Sequence, residues 1–307
     1  MQLEPDRQYL WHGITWATGT PMLLLADTAT GALGQVEVAG RHLGLMVVGS
    51  ARYCTGRYTF TDTFHVEPLS CPQQAAAERG GQCAACLAQD DFRFAHHLHQ
   101  GGHAPPALAA YMAQPHWLYI ATFANAVSKV GTAAASRRQS RLDEQGPIRA
   151  TYLAQAPDGR AVRHLEDALS HELGLAQAIR ATAKLAALVA FDPDHIDDEH
   201  EKAVDQAITA LAALGIASER EAWRSPADSH ALRDPQRSSE RALYPHDLRT
   251  GEHGFSVEAC SGPHALARLS SRDDDSLYLF DLNAPKGHRV LIGNYTSPRT
   301  TVQGSLF

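Results

Sequence analysis

Residues 117–131 read W-L-Y-I-A-T-F-A-N-A-V-S-K-V-G, and this stretch predicts the centre of the fold. Its first seven residues are apolar and β-prone, Ala124-Asn125 suits a turn, and A-V-S-K-V-G reads as a second strand. The helix-forming run A-A-A-S-R-R-Q-S-R-L-D-E follows and ends at the stop signal Gln145-Gly146-Pro147. The stretch therefore predicts two paired strands followed by a helix.

The following residues extend this central pattern. A third strand is predicted at 148–156, where I-R-A-T-Y-L-A-Q-A is closed by Pro157-Asp158-Gly159. An alanine-rich helix is expected at roughly 175–190. Between them, an amphipathic helix is predicted at 160–173, because apolar residues recur along one side at Val162, Leu165, Leu169 and Leu173. The whole order is strand, strand, helix, strand, helix, helix.

Both flanks of this centre also contain strand patterns. Residues 8–50 carry four short apolar runs separated by Gly, Thr and Asp, which is typical of an antiparallel meander. After the centre, residues 198–214 read as a helix, and the polar, proline-punctuated stretch at 218–250 predicts a long loop or a partly ordered linker. Two further strands are expected in the C-terminal part, and we expect them to pack back on the N-terminal ones.

Four of the five cysteines lie close together in the sequence, which indicates a metal site. They end in a C-x-x-C pair, which can hold a metal from a tight turn, and two cysteines from an earlier loop complete a tetrahedron. We predict a structural zinc site formed by Cys54, Cys71, Cys83 and Cys86.

Other interpretations of the cysteines remain open. A redox C-x-x-C would follow a strand, whereas Glu78-Arg79-Gly80-Gly81-Gln82 is turn-like. Two disulfides would require export, and residues 1–14 carry charges and no apolar leader pattern. His65 could replace one cysteine as a ligand, and the histidine run H-H-L-H-Q-G-G-H at 96–103 could bind a metal or form an exposed loop. Cys260 is expected to be a buried structural thiol.

Composition restricts the classes of protein to consider. The chain of 307 residues has ordinary hydrophobic content and a formal net charge of −7, which argues against non-specific nucleic-acid binding by the whole chain. No apolar run approaches the length of a membrane span, so we expect no membrane and a cytoplasmic location. Basic residues nevertheless concentrate in the middle of the sequence and permit a local anion site, at Lys129, Arg137, Arg138, Arg141, Arg149, Arg160 and Arg163.

The central motifs resemble those of a known nuclease superfamily. L-Y-I at 118–120 and K-V-G at 129–131 look like the paired strands of the GIY-YIG nucleases, some branches of which carry Lys in place of the second tyrosine. The first motif lacks its glycine here. The chain from the cysteines through K-V-G and R-L-D-E-Q-G also resembles an uncharacterised bacterial family, domain of unknown function 2797, whose name carries no activity.

The GIY-YIG resemblance implies a set of site residues. In that superfamily the first-motif tyrosine lies beside the scissile phosphate, a helix arginine offsets phosphate charge, and a glutamate holds a divalent metal. The corresponding residues here are Tyr119, Arg141 or Arg137, and Glu166, together with Lys129 in the second motif. A divalent metal such as magnesium is the cofactor this resemblance implies, in addition to zinc.

Each of these residues has an alternative structural role. Tyr119 lies in an apolar strand and could belong to the core. Arg141 could be neutralised by Glu144, and Glu166 could form an exposed ion pair with Arg163, three residues before it. The roles that the resemblance implies therefore compete with ordinary packing and surface pairing.

We therefore predict an α/β protein of the α+β type. Its expected parts are N-terminal strands at 1–53, a zinc-binding segment at 54–112, a small mixed-sheet GIY-YIG-like domain at 113–190, and an acidic helix, linker and C-terminal strands at 191–307. Three functions are open: a metal-dependent nuclease of GIY-YIG type, a module that binds nucleic acid without cutting it, and an enzyme acting on a small anionic metabolite.

Overall fold

The computed structural model describes residues 3–5, 7–78, 80–93, 105–269 and 276–298. The fold is α+β, as predicted, and contains one large and one small sheet and a separate two-stranded hairpin. The histidine run at 96–103 includes His96, His97, His99 and His103, all of which lie outside the described residues.

The described strands and helices are as follows. The strands are β1 (Gln8–Thr15), β2 (Met22–Asp27), β3 (Leu33–Glu37), β4 (His42–Val48), β5 (Arg57–Phe60), β6 (Val66–Leu69), β7 (His116–Thr122), β8 (Ser128–Ala134), β9 (Arg149–Ala156), β10 (Glu221–Ala222), β11 (Arg241–Leu243), β12 (Glu252–Ser261), β13 (His264–Leu269), β14 (Leu277–Asp281) and β15 (Arg289–Ile292). The helices are α1 (Ala84–Ala88), α2 (Pro106–Met112), α3 (Arg138–Gln145), α4 (Gly159–Leu173), α5 (Ala181–Ala187), α6 (Pro193–Ala213) and α7 (His230–Arg233).

The large sheet joins the two ends of the chain. Its strand order is β11-β14-β13-β12-β4-β15-β1-β2-β3, and all its pairings are antiparallel except that of β11 with β14. Strand β15 lies between β1 and β4, with Leu291 opposite both Gln8 and Met46. The C-terminal strands therefore pack back on the N-terminal ones, as the sequence analysis expected.

Aromatic side chains fill the core of the large sheet and satisfy their polar atoms locally. The Trp11 indole donates to the Leu282 carbonyl at 2.6 Å, and the Trp16 indole donates to the Gly262 carbonyl at 2.9 Å. Phe255 and Phe280 stack with ring centroids 4.2 Å apart. Burial of each such side chain stabilises the fold by about 1.5–3 kcal/mol. The core thus pins strands that are distant in sequence.

The small sheet holds the motif-bearing strands. Its order is β10-β9-β7-β8, and its ladders are antiparallel throughout; a single parallel bridge joins Lys129 to Ala176 beside β8. Every residue of the central strand β7 is buried, because helices cover both faces of the sheet. On one face α4 and α6 pack over Leu118 and Ile120, and on the other face Leu142 of α3 packs against Trp117 and Tyr119.

Several element boundaries differ from those expected from the sequence. The alanines at 133–134 end strand β8 rather than beginning the helix, and α5 covers only part of 175–190. Helix α6 packs on the small sheet, although the pattern placed it in the following segment. The hairpins β5–β6 and β12–β13 had no predicted counterpart.

The polar stretch at 218–250 is hydrogen-bonded to the rest of the fold and is not a free linker. The Arg241 guanidinium is buried and donates to the carbonyls of Leu232 and Leu188 at 2.8 and 3.3 Å. Arg233 donates to the Ile148 carbonyl at 2.7 Å and lies over the Trp223 ring. These arginines satisfy carbonyls that no regular element would satisfy. Within the described ranges, no helix combines the length and the apolar character needed to cross a membrane.

Candidate functional site

The cysteine cluster, Cys54, Cys71, Cys83 and Cys86, is assembled from three separate segments. Cys54 precedes β5, Cys71 follows β6, and Cys83 caps the short helix α1 that contains Cys86. Gly56 permits the close approach of the first two segments, because a Cβ there would lie 1.8 Å from the Leu69 carbonyl oxygen. Its φ of +80° is also a conformation that glycine adopts readily.

The geometry of the cysteine cluster fits a single metal ion. All four sulfurs lie within 4.8 Å of one another, and the Sγ atoms of Cys71 and Cys83 are 4.0 Å apart. A tetrahedral zinc with Zn–S bonds of about 2.3 Å separates its sulfurs by about 3.8 Å. All four thiols are free, and the observed separations are far beyond a disulfide bond. Four cysteines positioned to hold a metal confirm that part of the prediction.

The surroundings of the thiols also favour a bound cation. Burial raises the pKa of Cys54 and, more strongly, that of Cys86, because an uncompensated thiolate is costly there. By contrast, a backbone hydrogen bond from Cys86 lowers the pKa of Cys83, and the Gly56 amide donates to the Cys54 sulfur at 3.3 Å. Amide donors directed at sulfur stabilise metal-bound thiolates. The four cysteines are at most 4% exposed, which leaves no sulfur open to a redox partner.

The cysteine segment is tied to the small sheet through an aromatic cluster. Phe60 of β5, Phe92 and Tyr111 of α2 have mutual ring separations of 5.2–5.3 Å. Tyr111 also makes an edge contact with His116 at the start of β7. A metal bound at the cysteines would therefore stabilise the packing of α2 against the motif-bearing strands.

Tyr119 and Gly131 are directly paired across β7 and β8. A Cβ at position 131 would lie 2.5 Å from the Tyr119 hydroxyl oxygen, so the phenol occupies the space that glycine leaves. The hydroxyl accepts a hydrogen bond from the Gln145 amide at 2.6 Å. The glycine of K-V-G is therefore explained by the tyrosine of L-Y-I.

The charge of Arg141 acts on this phenol, and a second cation, Lys129, lies two residues before Gly131 on β8. Lys129 is 8% exposed, and its ammonium group makes only a long contact of 3.4 Å with the Gln177 carbonyl. Burial, together with the neighbouring charge of Arg141, lowers the pKa of Lys129 to about 8. Burial would also lower the pKa of Arg141, but its interactions with Tyr119 and Glu144 outweigh that effect and raise it.

Glu166 lies on the buried side of α4, between Val162 and Leu169. Its carboxylate accepts from Arg163 at 2.5 Å, and it acts on Lys129 by opposing the lowering of that lysine's pKa. The i,i+3 ion pair considered in the sequence analysis therefore exists, but it is buried: Glu166 is only 4% exposed. The charges of Arg141 and Glu166 act on both Tyr119 and Lys129, although α4 and Tyr119 lie on different faces of the small sheet, and we call these four residues the central cluster.

Arg137 does not belong to the central cluster. It pairs with Glu144 at 2.7 Å and faces the cysteine segment, where its charge affects Tyr58 and Tyr111. The alternative of Arg137 in the arginine role is therefore not supported, because its guanidinium is already neutralised. Arg138 is likewise occupied, since both its terminal nitrogens bond to Glu221.

Two residues beside the central cluster were missed at the sequence level. Gln145, which bonds Tyr119, had been interpreted only as part of a helix stop. Lys184 of α5 donates to the Gln145 carbonyl at 3.1 Å and lies 3.9 Å over the Phe123 ring. The sequence did contain a sign of the role of Lys184, because it is the one charged residue of the alanine-rich helix α5.

A divalent metal fits poorly at Glu166. The single carboxylate already has Arg163 as its partner, and Lys129 and Arg141 add further positive charge around it. A hard cation such as magnesium prefers several oxygen ligands and would be repelled by these groups. The same charges suit an anion with several oxygens, above all a phosphate.

Comparisons of the chain with known protein families, curated proteins and solved structures find no match.

Proposed function

We propose that this chain is a zinc-stabilised, GIY-YIG-like protein that binds a phosphate group of a nucleic-acid strand at the central cluster. The observation that carries the proposal is the charge of Arg141, which acts on both the buried Lys129 and the buried Tyr119 although the three residues come from different elements. Among the described residues, no carboxylate lies within ion-pair distance of Lys129 or Arg141. Buried cations without such partners are costly, and a bound phosphate would compensate them.

Binding without cleavage is the form of this function that the charges favour. Metal-dependent hydrolysis would need Glu166 to release Arg163 and accept a metal next to Lys129. That exchange is unfavourable, because it replaces a close ion pair with repulsion between cations. Glu166 is therefore assigned the role of orienting Arg163 and limiting the net charge of the site.

Access to the central cluster limits the ligand to a single phosphate at a time. Tyr119, Lys129 and Glu166 are buried, while Arg141 and Gln145 are partly exposed. A strand end is narrower than a duplex and would approach these residues more closely. A ligand held through one phosphate should lose affinity only shallowly with salt, with a log–log slope of about −0.7.

A small anionic metabolite is the second candidate ligand, and the burial of Tyr119 and Lys129 is the observation that favours it. A mononucleotide presents the same phosphate as a strand end and would enter more easily. The two candidates differ in whether additional nucleotides increase affinity. Zinc at the cysteine cluster has a structural role under either candidate, because it would stabilise the segment whose Phe60 and Phe92 pack against Tyr111 of α2.

The binding test uses the full chain and short fluorescent oligonucleotides. Single-stranded DNA, single-stranded RNA, duplex DNA and a mononucleotide competitor should be titrated against wild type, Lys129→Gln and Arg141→Gln. Each substitution should weaken strand binding about tenfold or more, since hydrogen bonds to charged groups are worth about 1.5–3 kcal/mol. Lys202→Gln is the matched control, because Lys202 is exposed on α6 and pairs with Glu199.

The outcomes separate the candidates. Strand binding that exceeds mononucleotide binding and is lost in both variants supports the proposal. Equal affinity for a mononucleotide and an oligonucleotide would show that the ligand is a small metabolite rather than a nucleic-acid strand. No binding of any of these ligands would remove the proposal.

The cleavage test adds magnesium or manganese to the same substrates. We expect no cleavage by wild type. Cleavage that Glu166→Ala abolishes, with binding retained, would show that the metal acts on the transition state and would replace the binding role with nuclease activity.

A further inference from the structure

Lys184 enters the central cluster from an element that the motif resemblance does not include. It lies on α5, and its ammonium group reaches the carbonyl of Gln145, whose side chain holds the Tyr119 hydroxyl. Its stem lies over Phe123, directly after β7. These contacts place a third, partly buried cation next to Gln145, which bonds Tyr119.

The charges of Lys129 and Arg141 both act on Lys184. Burial, with contributions from Lys129 and Arg141, lowers the pKa of Lys184 to about 7. His264 also faces this ammonium group, and burial with the charge of Lys184 lowers the pKa of that imidazole to about 3. Among the described residues, Lys184 has no carboxylate within ion-pair distance. Positive charge is thus concentrated here, because Glu166 and Glu144, the carboxylates that act on Lys129 and Arg141, are already paired with Arg163 and Arg137.

One hydrogen-bond acceptor beside the central cluster also lacks a donor. The Gln145 side-chain oxygen is buried and makes no hydrogen bond within the described structure. A buried acceptor without a donor costs about 1–3 kcal/mol unless a ligand or water supplies one. A ribose hydroxyl of a nucleotide is a donor of the required kind.

We propose that Lys184 is the third cation of the phosphate site and that Lys129, Arg141 and Lys184 together neutralise the bound phosphate, so that the site takes a terminal phosphate monoester without a divalent metal. This inference rests on the proposed function and names its ligand more closely. A terminal phosphate carries nearly two negative charges near neutral pH, whereas an internal phosphodiester carries one. Glu166 is already paired with Arg163, so the three other cations match the charge of a phosphate monoester better than that of a phosphodiester.

A purely structural role for Lys184 is the competing interpretation. Its bond to the Gln145 carbonyl satisfies the last turn of α3, and a cation near a helix C-terminus is favourable by itself. A cap could be provided by a fully solvated lysine, however, and would not require the proximity of Lys129 and Arg141. The two interpretations differ in whether the charge of Lys184 affects phosphate binding.

The experiment compares a 5′-phosphorylated and an unphosphorylated oligonucleotide of the same sequence, in the presence of EDTA. Wild type, Lys184→Met and Lys184→Arg should be titrated, with Lys202→Met as the matched control. Methionine keeps the alkyl stem over Phe123 and removes only the charge, whereas arginine keeps the charge. Thermal melting confirms that each variant is folded.

A second measurement uses the unmutated chain and applies even if Lys184→Met does not fold. The chain has only four lysines, Lys129, Lys184, Lys202 and Lys286. Reductive methylation with ¹³C-formaldehyde gives each of them its own NMR signal. Inorganic phosphate should shift the signals of Lys129 and Lys184 and leave those of Lys202 and Lys286 in place.

The expected result is wild-type preference for the phosphorylated strand in EDTA, a loss of about tenfold in Lys184→Met, and retention in Lys184→Arg and the control. Equal binding by wild type and Lys184→Met, with loss in Lys129→Gln, would make Lys184 structural and leave the proposed function intact. Binding that EDTA abolishes and magnesium restores would overturn the metal-free site. Failure of wild type to bind either strand or phosphate would remove the proposed function, and this inference with it.

Discussion

The hydroxyl of Tyr119 lies over Gly131, its cross-strand neighbour, at a point where a Cβ would be only 2.5 Å away. Because Gly131 has no side chain, the Tyr119 phenol can pack directly over it. The hydrogen bond from Gln145 then fixes the orientation of the phenol hydroxyl. The L-Y-I and K-V-G motifs are therefore a single structural unit, because the Tyr119 phenol packs where Gly131 has no side chain.

Gly131→Ala should destabilise the protein by about 1–3 kcal/mol, because the added methyl overlaps the phenol in a packed interior. Urea unfolding of the single variant and of Gly131→Ala in a Tyr119→Ala background measures this overlap. In the second background most of the cost of the alanine should disappear. An equal cost in both backgrounds would mean that something other than Tyr119 excludes a side chain at position 131.

The cysteine cluster should bind about one zinc per chain, and Cys83→Ser should lose the metal and lower the melting temperature. Structural zinc sites contribute directly to folding free energy, so chelation should have the same effect on wild type. Metal analysis of the purified protein and thermal melting with and without a chelator test this. Cys260→Ala is the control, because Cys260 is buried in the core of the large sheet, and it should keep its zinc. Full retention of stability after the metal is removed would contradict a structural role.

The sequence predicted the elements whose patterns are local. Strands β7, β8 and β9 and helix α4 follow from apolar periodicity and from turn residues such as Pro157-Asp158-Gly159, and the Asp158 side chain does cap α4 through the amides of Arg160 and Ala161. Spacing alone also predicted the four cysteines that meet, because a C-x-x-C pair and two earlier cysteines are rarely brought together for another reason.

Features set by tertiary contacts could not be predicted in this way. Lys184 and Gln145 join the central cluster only because α5 reaches the last turn of α3, and that turn reaches Tyr119 on β7. Arg137 and Arg141 are four residues apart and chemically equivalent in the sequence, and only the position of Glu144 beside Arg137 separates their roles. The 218–250 stretch looked like a linker because its partners are backbone carbonyls, which leave no trace in a sequence.

Glu166→Gln should destabilise the protein by about 2 kcal/mol, because Arg163 would lose its charged partner in a largely buried position. Affinity for a phosphorylated strand should stay the same or increase, since a carboxylate that repels phosphate is removed. Unfolding and titration of the same variant provide both quantities. Glu172→Gln, an exposed change on the same helix, should affect neither. A loss of phosphate affinity in folded Glu166→Gln would return the glutamate to a direct ligand role.

Stability should fall as the pH decreases from about 6.5 towards 4, and His200 provides a test of the cause. This buried imidazole bonds Thr122 through Nδ1 and Thr151 through Nε2, both at 2.8 Å. Burial, with the nearby charge of Arg149, lowers the pKa of His200 from 6.5 to about 4.

The sign of the effect follows from proton binding. Between these two pKa values the unfolded chain binds a proton at His200 and the folded chain does not, so acid favours unfolding. A shift of this size corresponds to about 2–3 kcal/mol at pH 4.5. Urea unfolding at pH 7 and pH 4.5 should show a pH-dependent loss that is smaller by that amount in His200→Gln than in wild type. His195→Gln on the same helix is exposed and should keep the wild-type pH dependence. If His200→Gln loses as much stability in acid as wild type does, other buried histidines such as His12 and His264 carry the effect, because burial lowers the pKa of both.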